Sequence, residues 1–150
     1  MNKSGVVLAV NISETKGVIK TSIEVGVFKE DHGLVGDDHA GNWHRQVSLL
    51  GDESIDKIRA MGIKGLCTGK FAENITTKDI VLYELPVGTK LKIGDTIQEV
   101  TQIGKKCHAG CAIKTQVGDC VMPREGIFTK ILKGGEVRPG DKIEVIEDLD

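Results

Sequence analysis

The chain has 150 residues and a formal net charge of -2, enough for one domain with a single core and too balanced for a general nucleic-acid or membrane-binding surface. One tryptophan, one tyrosine and three phenylalanines leave no base-stacking platform for single-stranded nucleic acid. Nineteen glycines are nearly double the usual ~7% and lack a collagen-like period, so they point to many tight turns and a β-rich fold.

The amino-terminal MNKSGVVLAVNISETKG contains only the short apolar run VVLAV, too short for a signal core or a membrane span. A cytoplasmic chain is therefore expected, with its thiols reduced and without disulfides. Residues 6–12 and 18–29 read as a strand pair joined by the polar turn SETKG. GLVGDDHAGNWHR, residues 33–45, is too rich in glycine and aspartate for regular structure and reads as a loop, after which QVSLL, 46–50, resumes as a strand.

The spacing predicts a helix over 51–65, with Asp52 as N-cap, Glu53 at the positive end of the dipole, and Ile55, Ile58 and Met61 recurring every three residues. Gly62 or Gly65 can end it. LCTGKFAENITTKD, 66–79, reads as a loop, and IVLYEL, 80–85, as a short strand.

Two later segments resemble each other. In 88–100 and 134–146, Gly88 aligns with Gly134, Leu91 with Val137, Gly94 with Gly140, Asp95 with Asp141 and Ile97 with Ile143. Each reads as strand, Gly-Asp turn, strand, because glycine permits positive φ and aspartate favours turns. Two copies are too few for a solenoid but suit matching corners of a closed or nearly closed antiparallel barrel. The expected fold is mainly β, a β-barrel with one or two short helices, in a single domain spanning 1–150.

The chemistry concentrates in KKCHAGCAIKTQVGDC, residues 105–120, which holds three of the four cysteines. Cys107 and Cys111 are spaced C-x3-C, Cys120 follows, and Cys67 lies far off. Cys107, His108, Cys111 and Cys120 are four donors that zinc could use, but a second close pair is missing and adjacent Cys107 and His108 fit one tetrahedral ion poorly. Small buried residues under a loop are the plain alternative. Against that stands the company they keep. Lys105, Lys106, Lys114 and Arg124 would lower a thiol's pKa and neutralise a phosphate or sulfur anion. Gly118 and Gly126 allow close backbone approach, Pro123 fixes an extended entry, and Arg124 offers a planar fork for phosphate, carboxylate or a neighbouring acidic side chain. In the earlier loop, Asp37, Asp38, His39 and His44 are donor types for a hard metal. Their spacing matches no specific motif; the expectation there is that Asp37 holds the turn, His39 packs near the pocket and Trp43 belongs to the core.

Taken in order, GLVGDDHAG with RQVSLL, FAENI, LPVGTKLKIGD, GKKCHAGC and REGIFTKILKGGEVRPGD resemble the MOSC domain, named for the carboxy-terminal part of eukaryotic molybdenum cofactor sulfurase. The resemblance runs from about Gly33 to Val145 and is similar to the short stand-alone bacterial form. It implies a β-barrel and a cysteine used for sulfur or molybdenum chemistry, as persulfide carrier or molybdenum ligand. In related amidoxime-reducing enzymes the molybdenum-ligating cysteine precedes a short apolar-threonine stretch, which matches Cys111 to Thr115 here. Other members place it after a basic residue or proline, which matches Lys106 and Cys107. The order of candidates is Cys111, then Cys107, then Cys120, with Cys111 as the metal ligand. The implied cofactor is molybdenum cofactor (molybdopterin), with Lys105, Lys106, His108, Lys114, Thr115 and Arg124 around its pterin and phosphate.

Implied partners are molybdopterin itself, molybdoenzyme-maturation proteins and a cysteine desulfurase as sulfur donor, with neither nucleic acid nor membrane. The pyridoxal-phosphate desulfurase domain of the full sulfurase has no counterpart here, so no pyridoxal phosphate is expected. Two other functions stay open: a small molybdenum-dependent oxidoreductase acting on N-hydroxylated compounds, and a non-catalytic adaptor in cofactor biosynthesis. The extra cofactor-enclosing region of the amidoxime reducers is missing from this sequence, which weighs against the first.

Overall fold

A computed structural model describes residues 4–14, 20–38, 40–60, 73–104 and 125–146. In chain order the elements are β1 (Ser4–Ile12), β2 (Thr21–Ile23), β3 (Gly26–Lys29), β4 (Gly33–Leu34), β5 (Val47–Gly51), α1 (Asp52–Arg59), β6 (Ile75–Lys78), a 3-10 turn (Leu82–Glu84), β7 (Lys90–Ile93), β8 (Thr96–Ile103), β9 (Ile127–Lys133), β10 (Gly135–Val137) and β11 (Lys142–Ile146).

The strands alternate as a half-buried surface requires. On β7, Leu91 and Ile93 are buried between the more exposed Lys90 and Lys92, and on β8 Thr96, Gln98 and Val100 face inward. Seven strands close on themselves in the order β11-β7-β8-β9-β5-β6-β1, and β1 completes the ring by pairing with β11. Closure needs strong bending, and bulges supply it. Register shifts lie between Val7 and Ala9 on β1 and at two points on β8. β2 continues the sheet beside the end of β1, while β10, β3 and β4 form a separate three-stranded sheet. Val7, Val10, Leu49, Ile75, Leu91, Ile93, Val100 and Ile127 belong to the hydrophobic core, together with Phe28 and Leu34 of the smaller sheet.

All barrel pairs are antiparallel except β5 with β6. Parallel neighbours need a crossover, and α1 lies on that path. Its Ile55 is buried, while Glu53 Oε2 accepts from the Asp79 backbone N–H at 2.7 Å, tying the helix start to the end of β6. Among the described residues, no helix is long and apolar enough to cross a membrane.

The mainly β barrel with a short helix is therefore the observed architecture. The two similar segments become neighbours: Ile93 pairs with Ile143, and Gly94 N–H donates to the Lys142 carbonyl at 3.2 Å. Gly94 and Gly140 both have positive φ, 55° and 94°. Only the first segment makes a hairpin, however; β10 and β11 join different sheets.

Four local expectations change. The run 80–85 is a 3-10 turn with extended flanks, since Leu82 and Leu85 drop into the core from a bend. β6 lies within the segment read as loop; its Ile75, Thr76 and Thr77 are all buried. The 18–29 strand splits into β2 and β3, which serve different sheets. Asp52 is the first helical residue rather than a residue ahead of the helix.

Candidate functional site

The candidate site is the excursion between β8 and β9. Cys107, Cys111, Cys120, Lys105, Lys106, His108, Lys114, Thr115 and Arg124 lie outside the described residues, as do Cys67 and His39. What is described is the frame that carries them. β8 and β9 pair as far as Ile103 with Ile127, and beyond this Gly104 N–H donates to the Gly126 carbonyl at 2.6 Å. Gly104 has φ 71°, a left-handed conformation that glycine adopts without penalty. The cysteine-bearing segment therefore leaves and rejoins the barrel at one point.

Each side of that point is braced by side chains. Glu125, the first described residue after the segment, accepts from Ser54 Oγ at 2.6 Å and from Lys57 Nζ at 2.7 Å. Both donors stand on α1, three residues apart and so on one helical face. The bond from Glu125 is the main cause holding the Lys57 ammonium above its ordinary pKa. Lys57 also sits 5.5 Å from the centre of the Tyr83 ring.

On the other side, Gln102 donates to the Gly104 carbonyl at 2.7 Å, and His44 Nε2 lies 3.0 Å from Gln102 Oε1. Arg45 stacks its guanidinium 5.6 Å from the ring centres of both Trp43 and Phe128. Trp43 is thus a surface platform, 42% exposed, and not the core residue expected. Ser54, Lys57, Gln102 and Glu125 went unrecognised in the sequence. Only the Ser54–Lys57 spacing hinted at a shared face, and their partners are remote in the chain.

A pocket of about 280 Å³ adjoins the α1 side, with Gly51, Glu53, Ser54, Lys57, Tyr83 and Glu125 on its wall. Its lining is mixed: the acidic Glu53, Asp79 and Glu125 together with the buried Ile80 and Leu82.

The acidic-histidine loop serves the fold. Asp37 is buried, receives Lys20 Nζ at 2.8 Å and accepts the Ser13 backbone N–H at 2.9 Å. Burial pushes the Asp37 carboxyl up, but the Lys20, Ser13 and Asn74 hydrogen bonds outweigh it and hold the pKa below its ordinary value. Lys20 is itself 2% exposed and also reaches Asp38 at 3.3 Å. Behind them Asn74 Oδ1 accepts from Ser48 N–H and Oγ, while Asn11 Nδ2 donates to the Glu73 carbonyl and to Thr76 Oγ1. Thr76 in turn donates to the Glu73 carboxylate at 2.6 Å. These groups are satisfied internally and shut off from solvent, so their work is to lock loop to barrel. Among the described residues no group of three or more histidine, cysteine, aspartate or glutamate side chains could hold a metal ion.

A family model described as MOSC domain matches residues 36–144. Among solved structures, the YuaD protein from Bacillus subtilis superposes with a TM-score of 0.78 at 19% identity, covering 95% of this chain and 95% of that one. YiiM from Geobacillus stearothermophilus gives 0.72 at 18% identity over 95% of this chain and 75% of its own. YiiM from Escherichia coli gives 0.68 at 13% identity over 97% and 71%. At such identities the structural likeness is one of fold. No curated protein matches the chain.

Proposed function

The chain belongs to the MOSC domain family, which is associated with molybdenum-cofactor-related proteins, and on that premise we propose that it is a sulfur carrier or cofactor-binding protein using a cysteine of the 105–124 segment. The observation that supports this reading is the frame: the Gly104–Gly126 bond joins the two flanks of a segment whose sequence holds three cysteines, three lysines and an arginine.

As a carrier, the thiolate of Cys111, or of Cys107 or Cys120, attacks the outer sulfur of a donor persulfide. The new bond is the carrier's own S–S bond. The donor's S–S bond breaks, and the donor leaves as a thiolate, so no external oxidant or reductant is needed. Lys105, Lys106 and Lys114 favour the attacking thiolate, since nearby cations lower a thiol's pKa.

The same donor set fits molybdopterin chemically. A soft thiolate suits a thiophilic metal, and ammonium and guanidinium groups suit a phosphate. Cys111 would be the metal ligand, with Lys105, Lys106, His108, Lys114, Thr115 and Arg124 around pterin and phosphate. The cofactor would supply a redox-active metal; the chain's own residues bind and orient it.

The test is intact-protein mass spectrometry after exposure to a small-molecule persulfide, with molybdenum and pterin measured on the same purified sample. A sulfur adduct lost in one of Cys111→Ser, Cys107→Ser or Cys120→Ser is the expected carrier result. Stoichiometric molybdenum lost in Cys111→Ser is the expected binding result. If all three variants match the parent in sulfur loading and pterin content, the proposal fails.

A further inference from the structure

Arg45 differs from the other described arginines. Arg59 engages Asp52 and Asp56, and Arg138 engages Glu136, but no carboxylate among the described residues pairs with Arg45. Asp31, which reaches the neighbouring Gln46, is already taken up: one oxygen accepts from Gln46 Nε2 and the other from Asn42 Nδ2. The guanidinium of Arg45 is held by its faces instead, 5.6 Å from the ring centres of Trp43 and Phe128. Such stacking leaves the N–H donors on the guanidinium edge unused. Arg45 Nε does lie 3.5 Å from His44 Nε2, but that nitrogen is committed elsewhere. Gln102 gives its amide N–H to the Gly104 carbonyl, which leaves its Oε1 to face His44 Nε2 at 3.0 Å. The ring nitrogen must then carry the proton and donate, and it cannot also accept from Arg45. Among the described residues, no side chain serves the N–H groups of Arg45.

We propose that Arg45 and Trp43 form a binding site for a small aromatic oxyanion, a phosphate or carboxylate carried on a planar ring. A guanidinium edge with free donors takes such a group through two parallel N–H···O bonds, and its charge answers the anion. The exposed Trp43 indole beside it offers the apolar surface for the ring. The arginine is set in place before any ligand arrives. On one side, buried Gln46 accepts the Ile131 N–H at 2.9 Å and donates to Asp31 at 3.0 Å. On the other, the Thr101 hydroxyl donates to the His44 carbonyl. The His44 ring meets the indole edge-on, with centres 5.8 Å apart. A cation anchored in this way loses little side-chain freedom on binding, and Arg45 is half-buried, so its edge stays within reach of solvent. The site lies beside the stem of the cysteine-bearing segment, since Phe128 pairs with Gln102, and Gly104 bonds Gly126. It uses none of the cysteines and stands independently of the sulfur-carrier reading.

Trp43 is the one tryptophan of the chain, so its fluorescence reports on this site alone. The probes are phenyl phosphate, benzoate and uncharged benzyl alcohol, titrated into the full chain at constant ionic strength and neutral pH. Backbone amide shifts of the isotopically labelled chain provide the second readout. A saturable change in Trp43 emission, with shifts at Arg45, Gln102 and Phe128, is expected from phenyl phosphate, from benzoate, or from both, and not from benzyl alcohol. Tighter binding of phenyl phosphate identifies a phosphate ligand; the reverse order identifies a carboxylate. Arg45→Lys keeps a cation beside the rings but loses the fork, and should weaken binding by about tenfold, as the loss of one charge-assisted hydrogen bond does. Arg45→Gln should abolish it. Absence of a saturable response to both anions, or an equal response to benzyl alcohol, overturns the proposal. So does unchanged affinity in Arg45→Lys, a variant that retains the packing over Trp43 and Phe128 and is checked by its amide spectrum. In any of these cases Arg45 serves only to cover the two rings.

Discussion

At the residue scale, the buried pair of Lys20 and Asp37 decides more than any exposed contact. Removing one member strands the other's charge in the interior, which costs about 3–5 kcal/mol. Asp37→Ala should therefore lower the urea midpoint sharply, whereas Glu136→Ala, which breaks an exposed pair with Arg138, should shift it by less than ~1 kcal/mol. The pair also sets the acid limit. Because the folded-state pKa of Asp37 lies below its ordinary value, its ionisation stabilises the protein fully above the unfolded value of about 3.9 and ceases to do so as pH falls through the lower folded value. An Asp37→Asn variant, compared by thermal melts from neutral pH downward, should be less stable at neutrality and lose less on acidification.

At the element scale, the two similar corners look interchangeable in sequence and are not in space. A Cβ on Gly94 would fall 2.5 Å from Asp141 Oδ2 and 2.9 Å from the Glu136 carbonyl, whereas one on Gly140 meets nothing within 4 Å. Both have positive φ, so both alanine variants carry backbone strain of about 1–3 kcal/mol. Only Gly94→Ala adds a collision, and thermal unfolding should rank it clearly below Gly140→Ala.

The same contrast shows how far the sequence could be read. The Gly-Asp turns were legible because positive φ is a local demand that glycine alone meets cheaply. The segment at β6 was not, because Thr76 and Thr77 look polar and are buried only by what surrounds them: Thr76 by the Asn11 and Glu73 bonds, Thr77 by the cover of α1 and the turn after β6. IVLYEL misled in the opposite sense. Its apolar content belongs to a bend whose Leu82 and Leu85 reach the core without forming a strand. At the candidate site, the cysteines and lysines were legible as types. The bracing from Ser54 and Lys57 to Glu125 was not, since a pairing between α1 and the residue just ahead of β9, about 70 positions on, leaves no local trace.

At the scale of the whole molecule, the family was written in the order of several weak motifs, and the barrel in its turns. The ring closes where β1 meets β11, with Val6 opposite Lys142. β1 also pairs with β6, with Val6 opposite Lys78. Beyond its pairing with the neighbouring β2, β1 thus waits for one partner from the middle of the described chain and another from near its end. Until β11 arrives, β1 and β7 each present an open edge on which another chain can pair. Contacts so distant in sequence slow folding, to the range of about milliseconds to seconds for β-barrels of this kind. A chain stopped after β10 should therefore self-associate as soon as it is made, through the two edges that β11 would have covered.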